Sequence, residues 1–198
     1  CHQKADDAAV IECDWGDPDA SNTIALVGGS HSLQWLEAVL VAAEQVDAQV
    51  YQYTKSNCLF GVVEEFGFER DASCAEWNEE LMEILRDTKP DLVVTIGTRR
   101  VEGVEQVPQG YTTRFEELSR LGIPARGDVY VSDADLDFPQ IDGVTLLDLT
   151  DLFCNGDTCG VVDGTILQYR DDNHLTTTWI KANTEPIVRA VQEALQGR

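Results

Sequence analysis

Between an apolar run, Thr23 to Val27, and a helical pattern that starts at Leu33, the chain reads Gly28-Gly29-Ser30-His31-Ser32. A serine at such a turn has three readings: helix cap, part of a phosphate cradle, or nucleophile. The cradle fits poorly. The stretch matches neither G-x-G-x-x-G nor G-x-x-x-x-G-K-[ST], and no lysine follows. The cap reading needs only a hydroxyl beside the free N–H groups of a helix start. The nucleophile reading needs a base, and the chain has 3 histidines. His2 lies in the N-terminal lead-in, and His31 adjoins Ser30, where neighbouring side chains diverge. His174, in "YRDDNHLTTTW", sits between the last strand-like run and the last helix. Asp171 precedes it by three residues, a spacing that brings a carboxylate to imidazole Nδ1 around a turn and leaves Nε2 for a serine hydroxyl. Asp172 is the competing partner. The plain reading of this segment is a helix start, with acids near its positive end and Thr176 to Thr178 as caps.

Elements that hold these residues follow from the periodicity. Apolar residues at Leu36, Val39, Leu40 and Ala43 continue the helix begun at Leu33, and Val50 to Tyr53 reads as a strand. Residues 75–86, "AEWNEELMEILR", form an amphipathic helix broken by Pro90. Asp91 to Ile96 is a buried strand that leads into Gly97-Thr98-Arg99-Arg100. A helix is expected over 112–121, ended by Gly122, with strands at Val129 to Val131 and Val144 to Leu149. A hairpin-like element spans Val161 to Tyr169 around Asp163-Gly164, and a long helix runs from Thr176 to Gln196, with Pro186 marking a kink or a second start. Strands alternating with helices predict an α/β sandwich with a mainly parallel sheet. Its functional crevice lies at the carboxyl ends of the strands, where both Ser30 and Thr98 fall. Residues 1–22 are polar and irregular, a lead-in expected to be strapped down by a Cys1–Cys13 disulfide; residues 23–198 read as a single domain.

Net charge is −22, from 36 acidic and 14 basic residues. Nucleic-acid binding, which draws most of its affinity from phosphate contacts, is excluded as a function class. No apolar run approaches the roughly 18 residues of a membrane span. The 6 cysteines cluster as Cys1 with Cys13, Cys58 with Cys74, and Cys154 with Cys159. Each couple borders a loop-like stretch without the paired C-x-x-C spacing of structural zinc, so three local disulfides in an oxidising compartment are expected. A lipidated Cys1 would leave an odd cysteine. Residue 1 is not Met and no signal peptide is present, so the chain is expected to be a processed or excised piece of a larger one.

The blocks Gly28-Gly29-Ser30-His31-Ser32 and Asp171-Asp172-Asn173-His174-Leu175 resemble the G-D-S-H-S and D-x-x-H-L blocks of SGNH-fold serine esterases. More narrowly, "TKSNC" (54–58), "CAEWNEEL" (74–81) and "PDLVVTIGTRR" (90–100) resemble the intervening blocks of extracytoplasmic SGNH domains fused behind acyltransferase-3 membrane proteins, of the actinobacterial type. The resemblance runs from about Thr23 to Trp179. It implies a three-layer α/β/α sandwich, SGNH hydrolase-like and flavodoxin-like. It also implies a Ser30–His174–Asp171 triad and an acyl-serine intermediate, with no metal or cofactor. An attached or partner membrane domain would supply the acyl group, often acetyl. The acceptor would be a hydroxyl of a cell-envelope glycan or glycolipid. Two departures stand out. Gly29 replaces the usual aspartate of the first block, and Gly97-Thr98-Arg99 lacks the asparagine that serves the oxyanion hole in the broader family. Thr98, Asn57 and the backbone N–H of Ser30 are the remaining donor candidates, with Arg99 and Arg100 placed to meet an anionic part of the acceptor, to stabilise the oxyanion region or to form salt bridges. Two other functions share this pattern: a secreted carbohydrate esterase with the same triad, and an inactive SGNH-like binding domain.

Overall fold

A computed structural model describes residues 1–66, 72–101, 104–129, 136, 138–155 and 158–196. Its elements run β1 (Cys13–Trp15), β2 (Asn22–Gly28), α1 (Ser30–Leu33), α2 (Leu36–Gln45), β3 (Ala48–Thr54), a 3₁₀ turn (Val63–Phe66), α3 (Ala72–Thr88), β4 (Leu92–Ile96), β5 (Arg99–Val101) and β6 (Val104–Gln106). They continue as α4 (Gln109–Leu121), β7 (Ala125–Val129), β8 (Val144–Asp148), α5 (Thr150–Phe153), β9 (Cys154–Asn155), β10 (Thr158–Cys159), β11 (Val162–Asp163), β12 (Ile166–Leu167), α6 (Thr177–Ala182) and α7 (Glu185–Gln196).

The central sheet has the order β1-β3-β2-β4-β7-β8. All its pairs are parallel except β1 with β3. Without β1, that is the doubly wound order of a flavodoxin-like sheet, whose switch point lies between β2 and β4. A strand buried on both faces reads as a continuous apolar run, and alternate residues enter opposite cores. Ile24 and Leu26 join Leu92, Val94, Trp35, Trp179 and Ile187 on the face covered by α2, α6 and α7. Ala25 and Val27 join Val93, Trp77, Leu81, Tyr111 and Phe115 on the face covered by α3 and α4. The expected three-layer sandwich is therefore present.

Three local expectations change. The strand expected at Val129 to Val131 is β7, Ala125–Val129; residues 130 and 131 lie outside the described residues. Its polar start and Gly127 concealed it. A Cβ on Gly127 would come within 2.8 Å of Gly97 Cα, so this strand carries glycine where two backbones nearly touch. The long C-terminal helix is two helices, α6 and α7, with Pro186 in the first turn of α7, where a missing N–H costs nothing. The lead-in is more than a strap: it supplies edge strand β1. Gln3, 4% exposed, donates its N–H to Thr54 O at 2.9 Å, and its side-chain Oε1 accepts from Trp77 Nε1 at 2.9 Å.

The three disulfides are Cys1–Cys13, Cys58–Cys74 and Cys154–Cys159, the local pairing expected. Cys58–Cys74 ties the loop after β3 to the start of α3, and Asn78 completes the tie. Its Oδ1 accepts from Gly61 N at 2.9 Å, and its Nδ2 donates to Cys74 O at 2.9 Å and Leu59 O at 3.0 Å. Asn78 is 1% exposed, so removing its amide strands several buried groups at once. Asn78→Ala is expected to lower unfolding free energy by about 2–4 kcal/mol. Urea unfolding checks this, and an unchanged midpoint would show that the loop does not rely on Asn78.

Candidate active site

β2 stops at Gly28, whose φ of +120° lies where L side chains are strained. A Cβ there would also meet Ser32 Oγ at 2.5 Å. Gly29 follows with ordinary extended backbone, and its carbonyl accepts from Ser32 N at 3.1 Å and Leu33 N at 3.0 Å, which starts α1. The helix cap is thus Gly29, and Ser30 is the first helical residue, half-buried, with no role as a side-chain cap. Loop 54–58 lies against this turn. Lys55 N donates to Gly28 O at 2.9 Å, and the Cys58 carbonyl oxygen lies 3.0 Å from where a Cβ on Gly29 would sit.

The loop bearing Asp171 and His174 is closed by two backbone ties. Arg170 N donates to His174 O at 2.9 Å, and Tyr169 bridges Leu175. Inside it, Asp171 Oδ1 accepts from Asn173 N at 3.0 Å and His174 N at 2.7 Å. The same carboxylate lies 3.0 and 2.9 Å from His174 Nδ1. A carboxylate only accepts, so Nδ1 carries the proton and Nε2 lies on the side of the ring away from Asp171. Ser30 Oγ lies 2.8 Å from that Nε2. Thr176 does cap α6, accepting from Trp179 N at 3.1 Å, so the helix-start reading of this segment holds beside the chemical one.

The other residues singled out from the sequence divide. Asn57 is exposed on the adjoining loop with φ of +55°. Thr98, 2% exposed, gives its hydroxyl proton to Glu105 Oε1, so only its backbone is left to serve an oxyanion. Arg99 is half-buried on β5, and its charge reaches His31. Asp172 is exposed, and Asp171 takes the contact to the ring.

The sequence reading set His31 aside because it adjoins Ser30. It instead stacks on His174, ring centroids 4.7 Å apart and planes 21° off parallel. His2, placed in the lead-in, also lies at this rim. Its Nδ1 is 3.1 Å from Thr54 Oγ1 and its Nε2 3.0 Å from Ser56 Oγ, within electrostatic reach of His174 and Arg170. All 3 histidines of the chain thus gather at one sheet edge, and the rarity of histidine here was the usable signal.

Residues 1–126 and 131–187 match the family model described as SGNH domain (fused to AT3 domains). The chain belongs to this family. Among solved structures, this SGNH domain is similar to the periplasmic domain of a lipopolysaccharide acetyltransferase from Salmonella ser. Paratyphi A. The two share 12% identity with a TM-score of 0.60, over 86% of this chain and 84% of that one. That identity shows a shared fold. None of the curated proteins compared with it matches. Among the described residues, no helix is long and apolar enough to cross a membrane.

Charge in the SGNH site is set by hydrogen bonds and burial. The Asp171 carboxyl is held down to about 2, first by the Asn173 N–H and then by the His174 N–H and ring. It is ionised at any neutral pH, and the stability it lends is present above 3.8 and is lost as pH falls from there toward 2. Burial, followed by the charge of His174, lowers His31 below 6.5. Below 6.5 the unfolded chain binds that proton more readily than the fold, so His31 draws stability down as pH falls through this range. In imidazole NMR titrations His31 is expected to show a midpoint below 6.5, moving upward in His174→Gln as one of its causes is removed. An unmoved midpoint would mean the two rings are not coupled in solution.

Proposed function

We propose that this SGNH domain is an extracytoplasmic O-acyltransferase domain acting through Ser30, His174 and Asp171. The observation that carries the reading is one line of contacts: Ser30 Oγ 2.8 Å from His174 Nε2, and His174 Nδ1 2.9 Å from Asp171 Oδ2. It stands at the carboxyl edge of a parallel sheet beside the switch point, where such folds place ligands. Family membership supports the setting, an SGNH domain joined to an AT3 membrane domain. Three disulfides suit an oxidising compartment.

Two half-reactions follow. In the first, His174 Nε2 takes the Ser30 hydroxyl proton as Oγ attacks the carbonyl carbon of an acyl donor supplied by the membrane domain. Asp171 stabilises the imidazolium. The tetrahedral intermediate collapses, the donor's leaving oxygen takes the proton back from His174, and the acyl group remains on Ser30. In the second, His174 takes a proton from an acceptor hydroxyl, that oxygen attacks acyl-Ser30, and the Ser30 oxygen is expelled and reprotonated. The acceptor is a hydroxyl of a cell-envelope glycan or glycolipid, and the acyl group is acetyl, as the name of the structurally similar Salmonella protein suggests for its own reaction. The Ser30 N–H at the start of α1, the Asn57 side chain and the Gly97-Thr98 backbone supply the oxyanion donors, each worth about 10²–10³ in rate. Arg99 meets an anionic part of the acceptor.

A site with Asp171 43% and His174 20% exposed also admits water, so hydrolysis of the acyl-serine is the competing outcome. Hydrolysis of p-nitrophenyl acetate by the purified domain is expected to fall by about 10³-fold or more in Ser30→Ala and in His174→Ala. Covalent labelling by a fluorophosphonate is expected at Ser30. Equal turnover in wild type and Ser30→Ala, with no label on Ser30, would refute the triad and favour a binding domain. Product analysis with added glycan separates transfer from hydrolysis.

A further inference from the structure

We propose that His31 is a positioning residue for His174, clamping the ring from its face while Ser30 meets it at its edge. The proposal rests on the triad reading above and extends it to a residue which that mechanism leaves idle. Ser30 and His31 are consecutive in α1, and consecutive helical side chains point about 100° apart. That divergence lets one turn reach His174 twice: Ser30 Oγ lies 2.8 Å from Nε2, and the His31 ring lies flat against the imidazole at 4.7 Å and 21°.

A second contact fixes the clamp. His31 Nε2 lies 3.1 Å from Asn173 O, and a carbonyl only accepts, so Nε2 holds a proton and donates it. Gln34, one helical turn on, accepts from Leu175 N at 3.0 Å. The residues either side of His174 are therefore both tied to the segment that carries Ser30. With the ring face covered, His174 cannot swing its Nε2 off the serine by turning toward α1.

The clamp works with His31 neutral. Burial and the neighbouring His174 favour that form; Arg99 acts the same way, and Asp171 and the Asn173 carbonyl oppose it. When His174 takes the serine proton, an uncharged aromatic face then lies against the new imidazolium, an attractive arrangement.

Three substitutions separate the two contacts. His31→Phe keeps a stacking ring without the bond to Asn173, His31→Gln keeps a donor without the ring, and His31→Ala has neither. In p-nitrophenyl acetate hydrolysis, His31→Ala is expected to lose about 10–100-fold in kcat, the scale of a small misplacement of a reacting group, with KM within about twofold. Phe and Gln should fall between Ala and wild type. A second readout needs no turnover. The proton between His174 Nδ1 and Asp171 should give a downfield NMR signal in wild type, broadened by solvent exchange in His31→Ala and partly restored in His31→Phe. Wild-type kcat together with a sharp signal in His31→Ala would overturn the proposal. So would a rise in KM alone, which would make His31 a substrate contact. Equal activity of wild type and Ser30→Ala refutes the triad instead, and the NMR comparison still decides whether His31 holds His174.

Discussion

β2 lies between two parallel neighbours, and the position of the site depends on where that strand ends. Its residues Ile24 to Gly28 are buried on both sides, so the chain cannot turn until it has cleared the sheet. It leaves through a glycine at positive φ, because no side chain fits beside Ser32 Oγ there. The next two residues start α1. Ser30 is thereby set at the carboxyl edge, between the ends of β3 and β4, by the packing of two cores on opposite faces of the sheet.

What completes the site is one carboxylate. Asp171 accepts two backbone N–H groups of its own loop and also faces the His174 ring. The backbone bonds hold its charge in place and depress its pKa, so the ring meets a fixed, ionised acceptor that selects the Nδ1–H tautomer. A loop on the surface would otherwise wander. Here it is held from inside by Asp171, from below by the Arg170–His174 backbone bond, and from the side by His31 and Gln34. Arg170 stands 3.6 Å from Asp171, but with both side chains largely exposed this pair adds little beside the N–H contacts.

The fold was legible wherever burial imposed a period. β2, β4 and the amphipathic face of α3 could be read because two-sided or one-sided burial leaves a pattern in residue type. β7 could not: Arg126 and Gly127 break the apolar run, and the reason for that glycine is the backbone of Gly97, which no local pattern announces. The contacts among Ser30, His174 and Asp171 were legible by scarcity, since 3 histidines leave few partners to test. His31 was not. Its exclusion assumed that adjacent side chains diverge, which is true of Ser30 and His31. The assumption overlooked that two diverging side chains can converge on one ring lying between them. His2 was missed because nothing in a polar lead-in foretells that Gln3 will anchor it to β3. The cysteine pairs were legible because each disulfide is local.

Gly29 shows how a departure from a family pattern can be absorbed. The resemblance that identifies the serine turn would put an aspartate there, and its loss would weaken the turn if nothing replaced it. In this chain the Cys58 carbonyl oxygen lies 3.0 Å from where a Cβ on Gly29 would sit, so the loop after β3 is in contact with the turn itself. That loop is in turn braced by Lys55 N on Gly28 O, by the Cys58–Cys74 disulfide and by the three bonds of Asn78. Backbone contact to a cross-linked loop can fix a turn as well as a side-chain bond can. The distance from Ser30 Oγ to His174 Nε2 stays at hydrogen-bonding length without the aspartate. Glycine at this position therefore goes with a different support for the turn, while the contact between Ser30 and His174 is kept.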